Sequence, residues 1–220
     1  MEMRIIFHTT TAALALMAAP VLAGAPSGPL APRNQCLGTE GLAALDQNLR
    51  AAAKERDVDA LMALVDENIQ LDFGGGSGKF ELKQRLTSPE YMLWDELDAA
   101  LALGCQLSSR ADSNGYASWP WYFSADLIPL DAFEAFIVTG EHVRLRGGAS
   151  LSAPVTGAVS WDYVRQREYP PEEAAYAKVE TRNGKTGYIA KAYLRSLVDY
   201  RVIAEERGGQ WRVTAFIAGD

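Results

Sequence analysis

The chain has 220 residues, with 28 Asp and Glu against 21 Lys and Arg and a formal net charge of −7. That balance, with no run of basic residues, argues against nucleic acid and anionic membrane surfaces as partners. The length suits one large or two small domains, and thiol or imidazole chemistry must come from two cysteines and two histidines.

Residues 1–23 read as a secretory signal peptide. Arg4 precedes an apolar run, Ile5 to Leu22, interrupted by His8 and Thr9-Thr10-Thr11, and the run ends in small residues through Ala25. A basic start, an apolar centre and a small-residue exit are the export pattern, with cleavage expected after Ala23 or Ala25. The threonine-diluted run is poor material for an anchor, which needs about 20 apolar residues, so no stable membrane anchor is expected after cleavage. The expected location is the periplasm or the medium. In an oxidising compartment Cys36 and Cys105 are expected to pair.

Gly24 to Gln35 is proline- and glycine-rich and reads as a flexible leader. Residues 36–133 read as a mainly helical α+β domain. Thr39 is placed to cap a helix carrying Leu42, Leu45 and Leu49, and Asp57 one carrying Leu61, Leu64 and Val65. Ile69, Leu71 and Phe73 alternate with polar residues as a short strand, which Gly74 to Gly78 ends. A helix over Lys79 to Leu86 follows. Ser88-Pro89-Glu90 is a start signal for another, with Tyr91, Trp94, Leu97 and Leu101 on one face and Gly104 as its stop. The predicted disulfide would clasp the two ends of this bundle. Asp112-Ser113-Asn114-Gly115 reads as a turn, and Trp119-Pro120-Trp121 as a seal between domains. Strands dominate from Phe136. Residues 198–220 read as a hairpin, with Trp211, Val213, Ala215 and Ile217 on one face.

Two motifs stand in the third quarter: Arg144-Leu145-Arg146-Gly147-Gly148-Ala149-Ser150, and Asn183-Gly184-Lys185-Thr186-Gly187-Tyr188 closing at Tyr193-Leu194. Between them lie Pro154-Val155 and Tyr176-Ala177-Lys178-Val179. Over residues 138–194 this resembles the bacterial SH3 (SH3b) family, with Arg144 in place of the family's Asn, Ala149 in place of Pro, and Tyr176 and Tyr188 in place of Trp. The resemblance implies a small SH3-like β-barrel at 134–197 and binding to cell-wall peptide or a periplasmic protein partner. The fold class expected is therefore α+β: a mainly helical N-terminal domain, the barrel, then the C-terminal hairpin. The opening helices, the strand at Ile69 and the Trp211 hairpin also resemble the cone-shaped fold of nuclear transport factor 2.

No catalytic constellation emerges. The run Phe73-Gly74-Gly75-Gly76-Ser77-Gly78-Lys79-Phe80 lacks the spacing of a phosphate loop and the Ser or Thr needed after the lysine. His142 would be the only histidine left after export, and one histidine builds no histidine-rich metal site. The acidic pairs, such as Asp57 with Asp59 and Glu172 with Glu173, fit solvated faces. No cofactor or metal is expected. Aromatics remain: Trp161, Tyr188 and Tyr193 are the candidate ligand-binding residues, because flat rings bind extended peptides or sugars at little entropic cost. The expected function is non-catalytic binding after export. Alternatives are part of a cell-wall hydrolase, or a structural and oligomerisation role.

Overall fold

The computed structural model describes residues 27–110 and 113–219. The expected signal peptide lies outside them.

Helices α1 (Leu42–Glu55), α2 (Val58–Leu64), α3 (Lys79–Thr87) and α4 (Leu93–Ala102) form one layer. Their start signals are used unevenly. Asp57 caps α2 as its spacing predicts, Oδ1 accepting from the Ala60 amide at 3.0 Å. Thr39 does not cap α1 with its side chain; Gly41 holds the cap position at φ 77°, and the Thr39 carbonyl accepts from Ala43. Ser88-Pro89-Glu90 makes a turn instead of a helix, and α4 begins three residues later behind Met92.

These helices cover a five-stranded sheet built from both ends of the chain. The strands β1 (Val65–Gln70), β2 (Gln106–Arg110), β3 (Ser113–Trp119), β11 (Arg201–Arg207) and β12 (Gln210–Ile217) run in the order β1-β12-β11-β3-β2. Only β1 and β12 pair parallel. The shared core contains Leu42, Leu49, Leu61, Ile69, Leu97, Trp119, Val202 and Phe216. A bulge decides which residues of β12 enter it. Val213 opposes Ala204 and Ala215 opposes Ile203, so Thr214 is the extra residue. One inserted residue exchanges the two faces of a strand. Val213 and Phe216 therefore face the helices, where strict alternation from Trp211 predicts Val213, Ala215 and Ile217.

The second sheet comprises β4 (Ala135–Val138), β5 (Val143–Arg146), β6 (Val155–Val159), β7 (Tyr163–Gln166), β8 (Tyr176–Thr181), β9 (Thr186–Ala190) and β10 (Leu194–Ser196). It is antiparallel, in the order β10-β4-β7-β8-β9-β5-β6. Its core is smaller and contains Val138, Leu145, Val164, Val179 and Ile189.

The expected fold class is thus corrected. The N-terminal part is not a helical domain standing apart: the C-terminal hairpin, expected to pack on the preceding domains, supplies two of the five strands of its sheet. Hairpin and helices each carry an apolar face that neither buries alone, and they bury them against each other. The remaining strands make a seven-stranded sheet with β4 and β10 at one end, rather than a small SH3-like barrel.

A third apolar cluster fills the seam between the sheets, with Leu30, Leu103, Trp121, Tyr122, Ile137 and Tyr163. Trp121 takes the sealing position expected of it, whereas Trp119 turns into the first core. The segment expected to be a flexible leader is part of this seam from Gly28 onward. Leu30 is 2% exposed, its amide donates to the Trp161 carbonyl at 2.7 Å, and Arg33 lies 4.4 Å over the Trp121 ring. Gly28 is required there: its φ is 145°, and a Cβ would stand 2.4 Å from the Ser160 carbonyl oxygen.

The seam also holds a charged group, Arg195 with Glu96 at 3.5 Å and Asp199 at 3.4 Å. Burial, and then the Asp199 carboxylate, push the Glu96 carboxyl above its ordinary value, against the pull of Arg195. A carboxyl raised in the folded state opposes folding once it must ionise. The Glu96 contribution is therefore intact below the unfolded carboxyl range and is lost as pH rises through the folded value. Relative to wild type, Glu96→Gln is expected to gain stability from pH 4 to pH 7. Urea midpoints at the two pH values check this, and a relative loss at pH 7 would refute it.

Candidate functional site

A groove lined by several uncommitted polar groups lies on the second sheet and has a volume of about 420 Å³. Strand β5 builds one wall. Val143 and Leu145 point into the core at 6% and 1% exposure, so Arg144 between them points out. Arg146 also lines the groove but is pinned, its Nη1 donating to the Ala153 carbonyl at 2.9 Å. Tyr176 opposes Ala190 across β8 and β9, and Tyr193 follows on the short 3-10 turn Lys191–Tyr193. Leu151, 76% exposed, forms an apolar lip.

The corner before β5 completes the site. His142 sits at φ 52°, in the left-handed region, with its amide donating to Ser160 Oγ at 2.8 Å. Such a conformation costs of order 1–3 kcal/mol in a residue other than glycine and persists only where its surroundings impose it. Glu141 beside it accepts from both the amide and the hydroxyl of Ser27, which hold its carboxyl below the ordinary value. The start of the described chain is thus clasped to the rim of the groove.

The side chains of His142, Arg144, Tyr176 and Tyr193 make no hydrogen bond, ion pair or ring contact with the described residues. This sets the groove apart from the others. Beside β6 lies a groove of about 340 Å³, but Arg182 there stacks on Tyr163 and stands 3.9 Å from Asp162, and Lys185 Nζ is bound to the Thr156 carbonyl. A groove of about 370 Å³ beside Trp211 has its cation, Arg212, committed to the Ala63 carbonyl and Gln210. Inside the helix-covered unit only about 10 Å³ remains among Leu49, Leu61, Ile69, Leu82 and Phe216, too little for a ligand.

Of the three aromatic residues singled out from the sequence, the structure brings one to the groove. Tyr193 lines it. Tyr188 lies opposite Lys178 and Arg146, on the same side of β9 as Ala190, but outside the lining. Trp161 adopts φ 43° and packs its ring with the seam cluster. His142, Arg144, Tyr176 and Leu151 were not among the candidates. Outward alternation between Val143 and Leu145 is the one signal that could have found Arg144. The glycine-rich run is likewise explained: the amides of Gly74 and Gly76 both donate to Asp72 Oδ1 at 2.8 Å, so a protein carboxylate fills the nest a phosphate would need. Arg85 and those amides hold Asp72 below the ordinary carboxyl range. Among the described residues, no group of three His, Cys, Asp or Glu side chains is placed to hold a metal ion.

No protein-family model matches the sequence, and none of the curated proteins is similar to it. Solved structures do match. An NTF-2 like protein of unknown function from Shewanella oneidensis MR-1 is 13% identical, with 83% of this chain and 99% of that one covered, at a TM-score of 0.31. An uncharacterised protein with a cystatin-like fold from Caulobacter vibrioides is 12% identical, with 82% and 87% covered, at a TM-score of 0.30. A protein of unknown function with a cystatin-like fold from Nostoc punctiforme PCC 73102 is 12% identical, with 84% and 92% covered, at 0.27. The SH3b assignment of residues 138–194 is corrected by the topology: their strands belong to one seven-stranded sheet that β4 and β10 extend at one end. What the SH3b motifs describe is local: the Asn183-Gly184 turn between β8 and β9, with Gly184 at φ 79°, and the glycine-rich exit from β5.

Proposed function

We propose that this is an exported, non-catalytic binding protein that takes a cell-wall peptide in the groove between Arg144, Tyr176 and Tyr193. The observation that carries the reading is the set of uncommitted groups there: a guanidinium, an imidazole and two phenol rings around one concave surface. Rings stripped of internal partners offer large rigid contact area, and binding energy concentrates on such residues. The lining offers no thiol and no serine for nucleophilic chemistry, and its one carboxylate is engaged by Ser27. An extended peptide needs only what the groove has: flat apolar contact, donors, and an open rim.

The test is co-sedimentation of the mature protein with purified peptidoglycan sacculi. Wild type is expected in the pellet, and Tyr193→Ala is expected to bind at least about tenfold more weakly, the loss typical of a central aromatic anchor. Tyr188→Ala, just outside the lining, is expected to bind as wild type. Equal binding by the Tyr193 variant would place the site elsewhere. Absence of wild-type binding would end the cell-wall reading and direct the search to a protein partner.

A further inference from the structure

Arg144 narrows the chemistry of the ligand, given that the groove is the binding site. It is the one arginine, among those with described side chains, that touches no partner. The rest are committed: Arg50 to Asp46, Arg56 to Asp95 and Asp98, Arg85 to Asp72 and Glu81, Arg165 to Glu134, Arg167 to Glu180, and Arg195 to Glu96. Arg33 and Arg201 lie over aromatic rings, and Arg146 and Arg212 donate to backbone carbonyls. Arg182 and Arg207 face Asp162 and Glu205. In a sequence with 28 carboxylates, this is the single guanidinium left unmatched among the described side chains, and it lies in the groove.

Its neighbours favour the same kind of guest. His142 adds a second donor, and the phenols of Tyr176 and Tyr193 add two more. The one carboxylate of the lining, Glu141, accepts from Ser27 and also interacts electrostatically with His142. A guanidinium presents its N–H groups as a planar fork that fits the two oxygens of a carboxylate. Leu151 and Tyr193, 76% and 49% exposed, offer apolar surface on the same groove.

We infer that the groove selects a peptide segment with a free carboxylate, received by Arg144 with His142 beside it, and an adjacent apolar group laid over Leu151 and Tyr193. Stem peptides of the cell wall carry such carboxylates, and an amidated peptide of the same shape would be discriminated against.

The experiment is calorimetric titration with soluble stem peptides released from peptidoglycan, and with the same peptides after their carboxyls are converted to amides. Wild type is expected to bind the acid form at least about tenfold tighter than the amide, as befits hydrogen bonds to a charged group. Arg144→Gln is expected to bind the acid form about as weakly as wild type binds the amide, and to lose the distinction between them. Its melting temperature is expected to match wild type, because Arg144 has no partner to lose. Wild type binding both forms equally would overturn the carboxylate inference while leaving the groove reading intact. Discrimination retained in Arg144→Gln would also overturn it. Binding of neither form would overturn the cell-wall reading and the inference with it.

Discussion

Asp46→Ala is expected to destabilise the protein by about 2–4 kcal/mol, the cost of leaving a buried donor unsatisfied and a part-exposed guanidinium without its partner. Asp46 lies on α1, 3% exposed, and its carboxylate is the hub of four hydrogen bonds. Trp119 Nε1 donates to Oδ1 at 2.7 Å, Asn34 Nδ2 to Oδ2 at 3.0 Å, and Arg50 to both oxygens at 2.9 and 3.1 Å. Arg50 also donates to the Leu101 carbonyl at 2.9 Å, at the end of α4. One carboxylate therefore joins α1, α4, strand β3 and the segment before Cys36. Truncation leaves a fully buried indole N–H with no acceptor and a guanidinium with its charge unmatched. In a chain of this size the melting temperature should fall by roughly 4–16 °C. Asp46→Asn keeps an acceptor for Trp119 but not the charge, so an intermediate loss is expected. Urea and thermal unfolding of the two variants decide the matter. A loss below about 1 kcal/mol for Asp46→Ala would show that water, not the carboxylate, satisfies Trp119 and Arg50.

The same residues show what the sequence made legible and what it did not. Helical spacing identified Leu42, Leu45 and Leu49 as one buried face, and Asp57 as a cap, because each is decided within one or two turns of chain. Asp46 lies on the same helix, yet its role is invisible from its neighbours. Trp119 and Asn34, which make it a core residue, are remote in sequence and reach it only once the sheet has formed. The SH3b assignment failed for a related reason. Asn183-Gly184 and the glycines after Arg146 specify turns, and turns of this kind serve many sheets. Nothing local to them reveals that β4 and β10 extend the sheet, or that β12, while paired with β11 in its hairpin, also takes β1 in parallel on its other edge.

The groove residues escape the sequence through direction rather than type. Aromatic richness drew attention to Trp161, but its left-handed backbone turns the ring toward Leu30 and the seam. Composition likewise hid the strap: prolines and glycines around Leu30 read as a linker, although two buried side chains, Leu30 and Ala31, suffice to dock it. Alternation along β5 carried the more useful signal. A charged residue facing outward is ordinary; one facing outward onto a groove, with no partner in so acidic a chain, is informative only when the other arginines with described side chains have been accounted for in space.

Replacing both cysteines, Cys36→Ala with Cys105→Ala, is expected to cost about 2–5 kcal/mol. The bond joins positions 69 residues apart, and the loop it closes contains all four helices and β1. Both cysteines are fully buried. The chain-entropy account assigns about 4 kcal/mol to a closure of this length, acting through the unfolded state. The folded state supplies a competing explanation, because a short backbone ladder flanks the bond: Cys105 donates to the Arg33 carbonyl and Gln35 to the Cys105 carbonyl, each at 2.8 Å. If the bond acts by restricting the unfolded chain, its removal should let that chain expand. The denaturant dependence of stability should then steepen while the native fold persists. If the groove takes stem peptide as proposed, that binding should also survive in the double variant at temperatures where it stays folded, because neither cysteine lines the groove. If instead the bond is needed to hold the strap, the variant should lose protection of the Leu30 and Cys105 amides from hydrogen exchange before it unfolds. The ladder and the burial of Leu30 favour the first outcome. They fix the strap at several points independent of the sulfurs, and leave the disulfide to act chiefly on the ensemble that folding must organise.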